Sequence, residues 1–246
     1  MKTLVLLFPL LVALVAVSGC KNDDSSTDLG DAVSLTVDDA ADAFASALGG
    51  SSGTGGLTAQ MEEAAAIAGG GSLGKAGQAY DILFDTTITR QRVGTYSYAY
   101  TFHYSFGIAN ANQFNFSYTM KGTYETPRMT SSDSATATLQ VSNLLTGQAY
   151  SVTGIYNRYG TQVSKVRNWV RFSSTITFSF TALEVDKASK RISGGTATLS
   201  MSGQTDAGRI FAYTATVTFL GNQQAMLIIG GKTYTVSLAL GEATPA

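Results

Sequence analysis

Between Tyr96 and Phe106 every second residue is aromatic: Tyr96, Tyr98, Tyr100, Phe102, Tyr104 and Phe106, separated by Ser97, Ala99, Thr101, His103 and Ser105. A helix repeats every 3.6 residues and would scatter these rings around its surface, whereas a strand repeats every two and puts them all on one side. The segment therefore reads as one long strand with an aromatic face and a hydroxyl-rich face. The alternation returns with Phe114, Phe116, Tyr118 and Met120; with Tyr150, Val152 and Tyr156; and with Phe172, Ile176, Phe178 and Phe180. It continues with Phe211, Tyr213, Val217 and Phe219, and closes with Tyr234, Val236, Leu238 and Leu240.

Turn signals separate these runs: Gly107 to Asn112, Thr126-Pro127, Thr146-Gly147, Asn157 to Gly160, Asp186 to Lys190, Gly203 to Gly208, Gly221-Asn222 and Gly230-Gly231. Links this short leave no room for crossover helices, so consecutive strands must be antiparallel neighbours. The expected fold is mainly β: a single antiparallel meander of about ten strands, curled as a closed or partly open barrel, with two short N-terminal helices. A β-sandwich is the alternative way to bury one apolar face.

Eight strands enclose a space that side chains just fill, so ten would leave room. The hydroxyls of Tyr96, Tyr98, Tyr100, Tyr104 and Tyr118 each need a partner when buried. The aromatic face thus has two readings, as packed core or as the wall of a wet pocket. The outline is similar to the lipid-handling half-barrels of bacterial envelopes, the lipoprotein carrier and receptor type, which also open with a helix. That resemblance covers architecture only and implies an apolar or lipid ligand inside the curled sheet. The mid-chain helices of those proteins have no counterpart here.

Before the strands, Thr36 followed by Asp38 and Asp39 opens a helical pattern with Val37, Ala40, Ala41, Phe44 and Leu48 on one face, stopped by Gly49-Gly50. A second helix is expected from Thr58 to Ala68, ended by Gly69-Gly70-Gly71, with Ser51 to Gly56 as a loop between the two. Two small Ala-rich helices cannot make a core alone, so they must pack on the β-domain or stay loose. Charge divides at the same place. Residues 21–85 hold eleven acids against two lysines, net −9, while from Thr86 onward thirteen Lys and Arg stand against six acids, net +7. The acidic segment is expected to lie across the basic domain, as a lid if the barrel has an open end.

At the N-terminus Lys2 precedes an apolar run of about 14 residues, Leu4 to Val17, followed by Ser18-Gly19-Cys20. A positive residue, an apolar stretch shorter than a membrane span needs, and small residues before a cut make an export signal. Val17-Ser18-Gly19-Cys20 resembles the lipobox of bacterial lipoproteins, which implies that Cys20 carries lipid, palmitate included, and that residues 1–19 are removed. Cys20 is the only cysteine and has no internal disulfide partner. Cys20-Lys21-Asn22-Asp23-Asp24 lacks an acid directly after the cysteine, which resembles outer-membrane sorting in enteric bacteria. Lysine followed by paired acids also resembles the surface-export signal of Bacteroidota lipoproteins. Periplasm-facing and surface-facing placements both fit. The expected organisation is signal peptide 1–19, lipidated tether 20–35, helical segment 36–79, antiparallel β-domain 80–241 and tail 242–246.

No reaction emerges from the side chains. His103 is the only histidine, so no His-based metal cluster can form, and no Gly-x-Ser-x-Gly turn marks a nucleophile. No catalytic residue, metal or cofactor is assigned. The pairs Asp38-Asp39 and Glu62-Glu63 read as solvated helix faces. Arg158, Lys165, Arg167 and Arg171 surround Trp169, the single tryptophan, and cations beside aromatics can hold anionic head groups or stack on sugars. The other reading is edge-strand charge that discourages strand addition. The candidate ligand-binding residues are accordingly Tyr96, Tyr98, Tyr100, Tyr104, Tyr118, Trp169, Arg167 and Arg171, with Cys20 for lipidation. Export and dispersed Lys and Arg argue against nucleic acid. The expected function is a lipid-anchored, non-catalytic envelope protein holding an apolar or lipid ligand inside the sheet. The alternative is a structural or surface lipoprotein with a protein or glycan partner.

Overall fold

A computed structural model describes residues 34–49, 56–70, 79–92 and 96–246, with the side chains of the last stretch described from Ala99 onward. The expected signal peptide, Cys20 and the expected tether as far as residue 33 lie outside the described residues, while Leu35, at the expected end of the tether, is buried in the core and its carbonyl accepts from the Tyr213 hydroxyl.

The strands follow one another as β1 (Ala79–Arg92), β2 (Tyr96–Asn110), β3 (Gln113–Glu125), β4 (Met129–Ser142), β5 (Ala149–Ser164), β6 (Arg171–Asp186), β7 (Ile192–Thr205) and β8 (Ile210–Gly221). Three short ones complete the series: β9 (Gln224–Ile229), β10 (Lys232–Ser237) and β11 (Glu242–Pro245). All belong to one antiparallel sheet in strict sequence order, and β1 and β11 end it without pairing to each other. The fold is thus the expected curled meander in its partly open form, one continuous sheet rather than the two of a sandwich. The residues expected as a tail form β11 instead, pairing Ala243 with Val236.

One expected turn does not exist. Asn157 to Gly160 lie inside the 16-residue β5, where Asn157 pairs with Thr136 and Thr177, and Gly160 with Asp133 and Ser174. An Asn-x-x-Gly string looks like a turn by local propensity, but paired strands on both sides supply every backbone hydrogen bond and keep it extended. Real turns use left-handed residues at Asn143, Gly147, Lys190, Gly208, Asn222, Gly230 and Gly231.

The helices are α1 (Val37–Leu48) and α2 (Leu57–Gly69). Thr36 caps α1 as its spacing requires: its hydroxyl accepts from the Asp39 N–H at 3.1 Å, and the Asp39 carboxylate accepts from the Thr36 N–H at 3.1 Å. Gly56 precedes α2 without a side-chain cap. Helix α1 packs on α2, β5, β9, β10 and β11, while α2 packs on β4, β6 and β7. Asp39 to Ala45, Ala47 and Leu48 of α1 are all buried. Such enclosure on nearly every side is that of a plug within the curl, not of a lid across its end. An Ala-rich helix is slim, and a sheet of this many strands leaves a space of that kind to fill. Gly49 permits the closest approach, because a Cβ there would stand 2.3 Å from the Gly241 Cα.

Aromatic side chains weld the plug to the wall. Phe44 of α1 meets Phe178 edge-on at 6.2 Å, and Phe178 meets Tyr156 at 5.5 Å. From there a chain of ring contacts runs through Tyr118, Tyr104 and Phe102 to Tyr100.

Candidate functional site

Strand parity decides what faces α1. On β5, Tyr156, Arg158, Gln162 and Ser164 are buried, and on β4 so are Ser131, Asp133 and Ala135. The sheet interior is therefore aromatic over most of its area and polar at one end, where Arg158 is 2 % exposed.

Arg158 Nε donates to Asp133 Oδ2 at 2.6 Å, and its Nη2 makes a second, shorter contact with the same oxygen. Its Nη1 donates to the Ser46 carbonyl of α1 at 2.9 Å, and its guanidinium lies 4.9 Å from the centre of the Tyr124 ring. Ser131 donates to Asp133 at 2.7 Å, and Tyr124 donates to Ser46 Oγ at 2.7 Å. Burial works against the Arg158 charge, but the Asp133 carboxylate together with the Tyr156, Tyr100 and Tyr124 phenols more than offsets it, so the guanidinium stays protonated. Burial pushes the phenols of Tyr124 and Tyr156 up to about 12, and those of Tyr100 and Tyr118 well above their ordinary value. Among the described residues, Arg158 and Asp133 bring the charge to this spot.

A second group of contacts fixes the start of α1. Asp42 takes both arms of a fork from Arg128, at 2.9 and 3.1 Å, and two more bonds from Arg167 at 2.8 and 2.7 Å. Burial raises the Asp42 carboxyl while the two arginines pull it down. Ser164 donates to Asp39 at 2.7 Å. Asp38 accepts from the Tyr234 hydroxyl and from Lys232 Nζ, which hold its carboxyl below the usual range. The acidic helix and the basic sheet thus meet through specific pairs. Asp39 is wholly buried, not part of a solvated face, because besides its cap with Thr36 it meets Ser164 and Arg167, which lie far from it in sequence.

The sequence candidates scatter. Cys20 lies outside the described residues; Tyr96 and Tyr98 sit in β2, and their side chains are not among those described. Tyr100 and Tyr118 are packed core, with the Tyr100 hydroxyl 3.4 Å from Arg158 Nη2. Tyr104 is half-buried, and burial raises its phenol to about 12. These three stand against aromatic neighbours. The basic cluster is no single cation surface either. Arg158 is interior, Lys165 donates to Glu125 at 2.9 Å, Arg167 binds α1, and Arg171 reaches Asp206 at 3.4 Å on the surface. Trp169, at the left-handed φ of 51°, is 66 % exposed in the β5–β6 connection. Neither cation that flanks it in sequence is available to it as an anion site, since both are paired with carboxylates. His103 lies exposed on the outward face, as its parity requires.

One open concavity lies on the outer face, away from the helices: a trough of about 1000 Å³ crossing β3 to β8. Thr138, Thr153, Asn157, Ser179, Thr198 and Thr216 contribute to it, and none of its described lining residues is charged. No sequence candidate falls there. The signal was present as the Ser and Thr on the alternate positions of every strand, but each strand alone shows only its own row.

Comparison with protein-family profiles, with curated proteins and with solved structures returned no match.

Proposed function

We propose that this chain is a lipid-anchored, non-catalytic protein of the bacterial cell envelope that meets its partner on the outer face of the sheet. The anchor rests on the lipobox-like Val17-Ser18-Gly19-Cys20 and on the apolar run before it. The observation that carries the rest is the burial of α1: the sheet interior is occupied by the chain's own helix, held by Asp38, Asp39 and Asp42. An interior lipid would have to displace that helix and strand Arg128 and Arg167 without their carboxylate. The buried Asp39 and Asp42 are spent on this docking, and Arg158 and Asp133 on each other and on the Ser46 carbonyl.

Two measurements test the reading. Labelling cells with a palmitate analogue should mark the wild-type protein and not Cys20→Ser; label persisting in the variant removes the anchor. Native mass spectrometry of the unlipidated mature chain should show no bound lipid. A stoichiometric lipid that co-purifies would return the ligand to the sheet interior and overturn the assignment to the outer face.

A further inference from the structure

We propose that the outer trough across β3 to β8 binds a neutral polysaccharide. The inference rests on the reading that the outer face meets the partner, and it names the chemistry of that partner.

Charge is the first argument. The chain has 33 Lys, Arg, Asp and Glu, yet none lines this trough of about 1000 Å³. Surfaces that recognise anionic lipid, nucleic acid or a charged peptide present cations or carboxylates, and this one presents neither. Hydrogen-bonding capacity is the second. Hydroxyls and side-chain amides both donate and accept, as sugar hydroxyls do, so either hydroxyl orientation of a polyol can be matched. Threonine also brings a methyl group beside its hydroxyl, and Ile155 stands 49 % exposed in the lining. That mixture suits a pyranose, which has C–H faces and hydroxyl edges: the hydroxyls and amides stand among apolar carbon that includes Leu139 and Phe180.

The shape supports an extended polymer. The trough crosses six strands, and neighbouring strands are ~4.8 Å apart, so it runs ~24 Å and accommodates several sugar units rather than one. A bulge in β6 lies within it: β6 takes one residue more than β5 between Phe180 and Leu183, and one more than β7 between Phe180 and Glu184, and there Ala182 adopts a φ of 56°. A non-glycine residue there is strained, and bulges bend strands and re-aim side chains. The Ala182 N–H is held by Thr153 Oγ1 at 3.1 Å, so a trough hydroxyl stabilises the bend that shapes the trough.

The test is affinity electrophoresis of the full lipidated protein in detergent, through native gels containing dextran, mannan, laminarin or galactan, with alginate as the polyanion control. Retardation by at least one neutral polymer and not by alginate is expected. The double variant Thr138→Lys/Thr198→Lys, both exposed trough positions, should weaken that retardation on the order of tenfold. Ser132→Lys, exposed on the same face of β4 but outside the trough, should leave it unchanged, which controls for folding and for added charge. Retardation by no neutral polymer, by alginate alone, or undiminished in the double variant overturns the proposal. Capture of a protein or a second copy through the trough, with no glycan bound, overturns it in favour of that partner. Any of these results obtained while Cys20-dependent labelling and the lipid-free interior hold would remove the glycan and leave the envelope reading in place.

Discussion

The inner and outer faces of this sheet are built from the same strands, one residue out of phase, and they handle polar groups in opposite ways. On the inner face of β4 and β5, Asp133 and Arg158 are sealed from water and joined to each other, to Ser131 and to the Ser46 carbonyl. On the outer face of the same strands Thr138, Gln140 and Ile155 stand exposed in an uncharged trough. A buried charge must be paired, because an isolated one loses its hydration with nothing in return. A solvated hydroxyl carries no such obligation. Inner polar residues therefore hold the fold together, while the outer ones divide between those bonded to the sheet, such as Thr153 and Asn157, and those turned to solvent, such as Thr138.

The contrast can be broken most severely at Arg158. Arg158→Met leaves Asp133 buried without its cation and should destabilise the protein by about 3 to 5 kcal/mol, whereas the double variant Arg158→Met/Asp133→Leu should recover most of that loss. Urea denaturation of the two variants decides the matter; equal losses would mean that the pair is not electrostatically coupled. Next comes the aromatic part of the same face. Phe102 is 1 % exposed, and Phe102→Ala should cost about 3 to 5 kcal/mol in the same melts. A loss below about 1 kcal/mol would contradict its packing.

A smaller effect is expected where α1 meets the sheet edge. The Tyr234 hydroxyl and Lys232 hold the Asp38 carboxyl below its ordinary value. A depressed carboxyl contributes stability that is present above its unfolded pKa, about 3.9, and is lost as pH falls through the lower folded value. Asp38→Asn should therefore reduce the loss of thermal stability between pH 5 and pH 3. Asp42 has the opposite sign, because burial raises it, so its share favours the acid side and is unaffected by this substitution. An unchanged acid profile in Asp38→Asn would show that the contact adds nothing to docking. The least effect should appear on the outer face, where His103→Ala, one residue from Phe102, should change stability by less than about 0.5 kcal/mol. Equal losses at positions 102 and 103 would mean that the register of β2 is wrong.

Local pattern by itself determined most of the strands, their antiparallel order and their apolar sides, because a period of two is a property of consecutive residues and short links allow only antiparallel neighbours; it broke β5 at Asn157 to Gly160 and took β11 for a tail, since only pairing with neighbouring strands makes those segments extended. It also determined the start of α1, since Thr36 and Asp39 cap the helix from three residues apart. Tertiary structure decided what covers the apolar face. Phe44 and Leu48 could be seen to need burial, but the choice between plug and lid depends on the width of a sheet whose curl no single strand encodes. It also decided the fate of the charges. Arg158 looks like a surface cation beside a turn, and only Asp133, paired into register on the neighbouring strand, and Ser46, 112 residues away, make it an interior residue. Likewise Asp39 lies within the core because Ser164, 125 residues on, meets it there. The outer trough is also a product of assembly: its rows of threonine are visible strand by strand, but only hydrogen-bonded neighbours and the β6 bulge gather them into one surface.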